Sequence, residues 1–305
     1  MSQSTGSISD PLSTRLLRLY APLAARTAET CARGEWPATT GVRRGLVRGP
    51  DGNLSPVRFD DGQGPVGVAA FPAALASMCT SVRRHVFDPL IARLNATLPE
   101  SGQLSVWWAP DYAMHFTIFQ FTEHPVLMQE EERARCRPLS DADDELLRAG
   151  LADALPQLVP AAVVLHGARL MPDGSMLLLF LEAPDAEGGV DKLRSACSSV
   201  AQAAGQSDQP VRPKDFLHVV VGRILEVRAL SDDQKKGLQE LAAVEATKIG
   251  GMEPAECLEL CMRDSQQIDI SGVKLVRDKQ WFHLEYDCLG SFSIGPSETH
   301  NCISM

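Results

Sequence analysis

Met114-His115-Phe116-Thr117-Ile118-Phe119 and Leu217-His218-Val219-Val220-Val221-Gly222-Arg223 are the two stretches on which the reading of this chain turns. Each sets a histidine in a run of alternating apolar residues, the period of a half-buried β-strand. The first strand is expected over Met114–Phe121. Alternation puts Met114, Phe116 and Ile118 on one face and His115, Thr117 and Phe119 on the other. The second is expected over Phe216–Ile224, with His218 near its start. Strict parity there puts Arg223 on the face opposite His218.

The elements downstream of the two histidines are similar. After the first, Ser140-Asp141-Ala142-Asp143 opens a helix with a serine cap and early acids. Leu146, Leu147, Leu151, Ala154 and Leu155 form its buried stripe. Ala161–Leu170 and Met176–Leu181 then read as a hairpin about Pro172-Asp173-Gly174. A helix fits Val190–Ala204. After the second histidine, Ser231-Asp232-Asp233-Gln234 is a capping box. The stripe Leu238, Leu241, Ala242 is interrupted by Glu245. Strands are expected at Cys257–Met262, Val273–Val276 and Trp281–Leu289. A strand with histidine, a capped helix and further strands thus occur twice. Neither half can bury its sheet alone, so two α+β lobes related by a rough twofold are expected, with the histidine strands meeting at the centre. Ahead of them, Pro72 opens a helix running to about Leu98.

The chain has 305 residues, a net charge of −10 and ordinary hydrophobic content, 44%. That suits a soluble globular protein and opposes binding of long duplex nucleic acid. The 8 cysteines form no disulfide framework. Cys257 and Cys261 have no matching second pair, so zinc is not indicated. No apolar run reaches the length of a membrane helix. The expected compartment is the cytoplasm. Two alternatives attach to the ends of the sequence. The arginine-rich, acid-poor stretch before residue 50 reads as an organelle transit peptide or, preferably, as a native helix with Leu16, Leu17, Leu19, Leu23 and Ala24 on one face. The terminal Cys302-Ile303-Ser304-Met305 fits a prenylation signal, although Ser304 sits where an aliphatic residue is usual and no basic cluster lies beside it. Residues 1–64 are therefore expected as a partly helical or flexible extension, 65–290 as the bilobal domain, and 291–305 as a flexible tail.

At the two histidines the sequence resembles the two-histidine phosphoesterase superfamily, which includes 2′,3′-cyclic phosphodiesterases and RNA ligase-like proteins. That family carries His-x-Thr/Ser-hydrophobic once per lobe. His115-x-Thr117-Ile118 fits it completely; His218-x-Val220-Val221 lacks the hydroxyl. Arg223 fits a common extension of the second motif, and Tyr112 with His124-Pro125 resembles plant and algal members. The resemblance covers about residues 65–290. It implies a bilobal fold with antiparallel sheets lining a central cleft and helices outside. It also implies that His115 and His218 face one phosphate, with Thr117 and Arg223 as phosphate-binding residues. The expected activity is metal-independent hydrolysis of a cyclic phosphate, on a nucleotide or an RNA end, with His218 activating water and His115 protonating the leaving oxygen. Histidine suits both roles because its ordinary pKa lies near 6.5. Valine at 220 donates nothing, and losing one charge-assisted hydrogen bond costs on the order of 1.5–3 kcal/mol. The alternative is therefore a weakened phosphate-binding protein with an eroded second motif.

No cofactor is expected, and a monomer is. The partner is a small phosphorylated substrate, with a membrane role only through Cys302. Tyr112 and Trp281 are candidates for stacking a base, as are Trp107 and Trp108, for which packing is the simpler role. His124, His166 and His283 read as loop or strand histidines. A metal site of His115, His124 and His218 would need ligand geometry that no spacing demands.

Overall fold

A computed structural model describes residues 11–37, 46–48, 54–60, 62–99, 104–122, 138–186, 188–205, 216–227, 230–259, 262, 266–280 and 285–296. Helices α1 (Leu12–Tyr20) and α2 (Leu23–Ala32) come first, then a small ribbon of β1 (Leu46–Arg48) and β2 (Leu54–Pro56). There follow β3 (Val66–Ala70), α3 (Ala73–Val82), α4 (Asp88–Ala96), β4 (Leu104–Trp108) and β5 (Phe116–Gln120). The middle of the chain holds α5 (Asp141–Ala154), β6 (Ala161–Leu170), β7 (Ser175–Glu182) and α6 (Gly189–Ala203). Last come β8 (His218–Val227), α7 (Asp232–Gly250), β9 (Gln267–Ile270), β10 (Gly272–Gln280) and β11 (Glu285–Ser293). Between α3 and α4 the helix widens to a π-turn over Arg83–Phe87. Pro89, just beyond, has no N–H and would clash with the carbonyl four residues back, and the widened turn accommodates it.

The architecture is α+β, with two larger antiparallel sheets. The first has the order β11-β10-β3-β5 and the second β4-β8-β7-β6-β9. The repeat expected from the sequence is present, but the lobes are not consecutive stretches of chain. The hairpin that follows β5, made of β6 and β7, pairs with β8. The hairpin that follows β8, made of β10 and β11, joins β3 and so the sheet of β5. Each histidine strand therefore sits in a sheet completed by the hairpin that follows the other. One hydrophobic cluster runs through both sheets, from Leu12 to Ile294.

Both linking helices carry full capping boxes. The Ser140 hydroxyl accepts from the Asp143 amide while the Asp143 carboxylate accepts from the Ser140 amide. Ser231 and Gln234 repeat this at α7. Glu245, which breaks the apolar stripe of α7, is buried against Arg93 of α4, with N···O distances of 2.6 and 2.8 Å. Leu146 is exposed rather than buried, since the core stripe of α5 runs through Leu147 and Leu151.

The expected strand at Cys257–Met262 is a further correction. A short 3-10 turn over Pro254–Glu256 precedes Cys257, Leu258 and Glu259, which do not pair as a strand; Leu260 and Cys261 lie outside the described residues, and β9 is the next strand. Cys257 and Leu258 fill the core there without strand pairing. Helices α1 and α2 also belong to the core: Leu16, Tyr20 and Leu23 are buried. The Tyr20 hydroxyl donates to the carbonyls of Phe180 and Leu217, at 3.0 and 2.9 Å, and accepts from the Leu217 amide at 3.1 Å. No helix among the described residues is long and apolar enough to cross a membrane.

Candidate active site

His115 lies just ahead of β5, after a 3-10 turn at Asp111–Ala113. Its Nδ1 is 2.7 Å from the carbonyl of Ala113. A carbonyl only accepts, so Nδ1 carries the proton and Nε2 is the nitrogen that gains or loses one. The ring leans on Phe71 at 5.6 Å between centroids. The imidazole is thus held by a hydrogen bond on one side and an aromatic face on the other.

Register places the rest of this face. Thr117 pairs with Ala69, which pairs with Lys274. Beyond Thr117 the pairing slips: Thr117 stands opposite Ala69, but Phe119 opposite Val68. Ile118 is the extra residue of a β-bulge, which shifts the alternation by one. Phe119 and Phe121 accordingly turn into the core, and Gln120 returns to the face of Thr117.

His218 opens β8, half-buried, with Phe216 edge-on at 6.1 Å. It pairs with Leu179, and Val220 pairs with Leu177. Here too the register slips, because Gly222 stands opposite Met176 and leaves Val221 as the extra residue. Both histidine strands therefore bulge at the third residue after the histidine. The slip overturns the expectation from strict alternation. Arg223 shares the face of His218 and Val220, while Val219, Val221 and Ile224 are buried in the core. Gly222 is needed at this bend: a Cβ there would lie 2.5 Å from the Trp108 ring.

Arg223 is nonetheless engaged elsewhere. Its guanidinium lies 3.4 Å from Asp173 in the β6–β7 turn. Burial presses its pKa below the ordinary arginine value, and the Asp173 charge works against that. Arg223 is the counterpart of Gln120, the fifth residue after each histidine. Sequence reading missed Gln120, Phe71 and Lys274. The shared offset of Gln120 and Arg223 was the one signal available for the first of them.

The two histidine strands lie against each other. Arg194 of α6 ties them together: its Nε donates to the Ile118 carbonyl at 3.3 Å, and an Nη to the Phe216 carbonyl at 3.1 Å. Burial lowers the pKa of Arg194, opposed chiefly by Asp191. Phe116 meets Phe180 edge-to-face at 4.8 Å. The Ala109 amide donates to the Val221 carbonyl, so the chain leaves the bulge of β8 and reaches His115 six residues later.

The other candidates divide. Tyr112, on the turn before His115, is exposed. Trp107 pairs with Arg223 across β4 and β8. Trp108 packs over Gly222 and carries the Arg83 guanidinium 4.2 Å above its ring. His166 stacks on Tyr20 at 5.6 Å, and burial together with the nearby Arg169 lowers its pKa. His124, Trp281, His283 and Cys302 lie outside the described residues. Among the described residues no three or more His, Cys, Asp or Glu side chains gather as a metal site.

No protein-family profile matches the chain, and no curated protein matches it. Several solved structures align with most of it. TT0787 of Thermus thermophilus shares 15% identity over 75% of this chain and 97% of its own, with a TM-score of 0.36. LigT of E. coli complexed with ATP shares 12% over 76% and 98%, with a TM-score of 0.41. The same protein complexed with 3′-AMP gives 13%, 76%, 98% and 0.35. Scores of that size assign no role to any residue of this chain.

Proposed function

We propose that this protein is a metal-independent phosphoesterase that hydrolyses a cyclic phosphate of a nucleotide or RNA end. The observation that carries the reading is the doubled strand: a histidine, then a bulge three residues on, in two strands that lie side by side. Bulges concentrate next to active sites, where they re-aim side chains.

In the proposed reaction a water oxygen attacks phosphorus and His218 takes its proton. The bond from phosphorus to one ribose oxygen breaks, and His115 delivers a proton to that oxygen from Nε2. The Ala113 carbonyl suits this division. It holds Nδ1 protonated throughout, so His115 can be an imidazolium that donates from the other nitrogen. Thr117, on the same face, donates its hydroxyl to a phosphate oxygen. In the test, His115→Ala and His218→Ala each lower kcat/KM on 2′,3′-cyclic AMP by about a thousandfold, the scale of general acid–base catalysis. Full activity in either variant rejects the reading.

One observation favours a second reading, a phosphate-binding protein with little turnover: Val220 occupies the place of Thr117. Val220→Thr separates the two. A rate gain of about tenfold or more marks a weakened enzyme. Unchanged turnover, with 2′-AMP still bound in calorimetry, marks a binder.

A further inference from the structure

The face of the first sheet that carries His115 and Thr117 also carries a cation in an aromatic setting. Lys274 of β10 places its Nζ 5.1 Å from the centre of the Phe71 ring and 5.9 Å from that of Tyr286. Phe71 stacks on Tyr286 at 5.4 Å and touches His115 with its ring. Lys274 is thus one aromatic ring away from His115. Among the described residues it makes no ion pair, whereas its neighbours Lys279 and Arg58 pair with Asp287 and Glu285.

The pseudo-symmetry shows why this cation matters. In the first sheet the row across the strands reads Lys274, Ala69, Thr117. In the second the matching row reads Arg169, Leu177, Val220. A methyl group separates cation from hydroxyl in one row; a leucine separates cation from valine in the other. Arg169 is buried and spends an N–H on the Ala168 carbonyl at 2.7 Å. Arg223 is taken up by Asp173. Of these three cations, Lys274 alone sits half-exposed on a histidine face with no carboxylate paired to it among the described residues.

Lys274 also lines a cavity of about 380 Å3, together with its cross-strand partner Ser291 on the same face of the sheet. Phe71, Asp269, Ser271, Ser291 and Ser293 line it. Hydroxyls, one carboxylate and an aromatic ring suit a sugar and base better than a second anion.

We propose that Lys274 anchors the phosphate on the His115 side and that this cavity takes the nucleoside part of the ligand. The assignment rests on the phosphoesterase reading and deepens it. Lysine serves as a compact point charge for phosphate, and here it supplies the charge that Arg223 does not. Binding of 2′-AMP and of inorganic phosphate is measured by calorimetry at low salt on the whole protein. Lys274→Met should weaken both ligands about tenfold or more, and Lys274→Arg should keep 2′-AMP within about threefold of wild type. Ser291→Trp, on an exposed edge position, fills the cavity and should weaken 2′-AMP alone. Unchanged 2′-AMP affinity in Lys274→Met, while His115→Ala still lowers hydrolysis by about a thousandfold, overturns the anchor and leaves the enzyme reading standing. Equal weakening of both ligands by Ser291→Trp overturns the cavity assignment. Failure of the wild-type protein to bind either ligand removes the phosphoesterase reading and this proposal together.

Discussion

The strands β5 and β8 share a backbone and differ in chemistry. Each is headed by a histidine, slips register at the third residue beyond it, and passes through a capping-box helix to a hairpin. On the working face one carries Thr117 and Gln120, the other Val220 and Arg223. The first half keeps a hydroxyl donor. The second keeps a charge, but a charge already shared with Asp173. The backbone device that aims the side chains is thus the same in both halves while the side chains differ, and on the proposed function the first half supplies the donor that the second lacks.

The comparison breaks most visibly at the residue that joins the halves. Arg194→Met removes charged hydrogen bonds to the Ile118 carbonyl in β5 and to the Phe216 carbonyl just ahead of β8, and should cost about 3 kcal/mol in urea unfolding. A change under about 0.5 kcal/mol would show that the strands are held without it. Tyr20→Phe acts on the second sheet alone, at β7 and the entry to β8. It removes the hydroxyl shared by Phe180 and Leu217, should cost about 1–3 kcal/mol, and should speed amide exchange at Leu217 but not at Thr117. The two caps sharpen the likeness: Ser140→Ala and Ser231→Ala should each cost about 1 kcal/mol, and a clear inequality would mean that the helices are not equivalent parts.

The smallest effect is a pH dependence confined to the second sheet. Burial holds His166 below the ordinary histidine pKa of 6.5, so the unfolded chain binds a proton that the folded chain refuses. The stability that depends on neutral His166 is complete above about pH 6.5 and falls as the pH drops toward the depressed folded value. His166→Phe should flatten that part of the stability–pH curve; an unaltered curve would place the acid sensitivity elsewhere.

Much of this was legible in the sequence because it is local. Alternation exposed both histidine strands, and serine followed three residues on by Asp or Gln marked both helix starts. Pro172-Asp173-Gly174 announced the β6–β7 turn. The features that stayed hidden depend on pairing between distant segments. No periodicity within β8 reveals that Val221 is an extra residue opposite β7, and that single slip moves Arg223 to the other face. The exchange of hairpins between the sheets is likewise invisible to a reading that moves along one strand at a time. Tyr20 looks like one aromatic in an arginine-rich stretch until its hydroxyl is found at the mouth of β8. Phe71 and Lys274 carry no motif, and only the rows across β3, β5 and β10 bring them beside His115.

The position of one phosphate decides whether the two histidines work as a pair. A crystal structure of the protein with 2′-AMP should place a single phosphate within hydrogen-bond reach, roughly 2.6–3.2 Å, of a ring nitrogen of both His115 and His218, with the Thr117 hydroxyl donating to it. A phosphate held by one histidine alone, or bound away from both, would contradict the paired site.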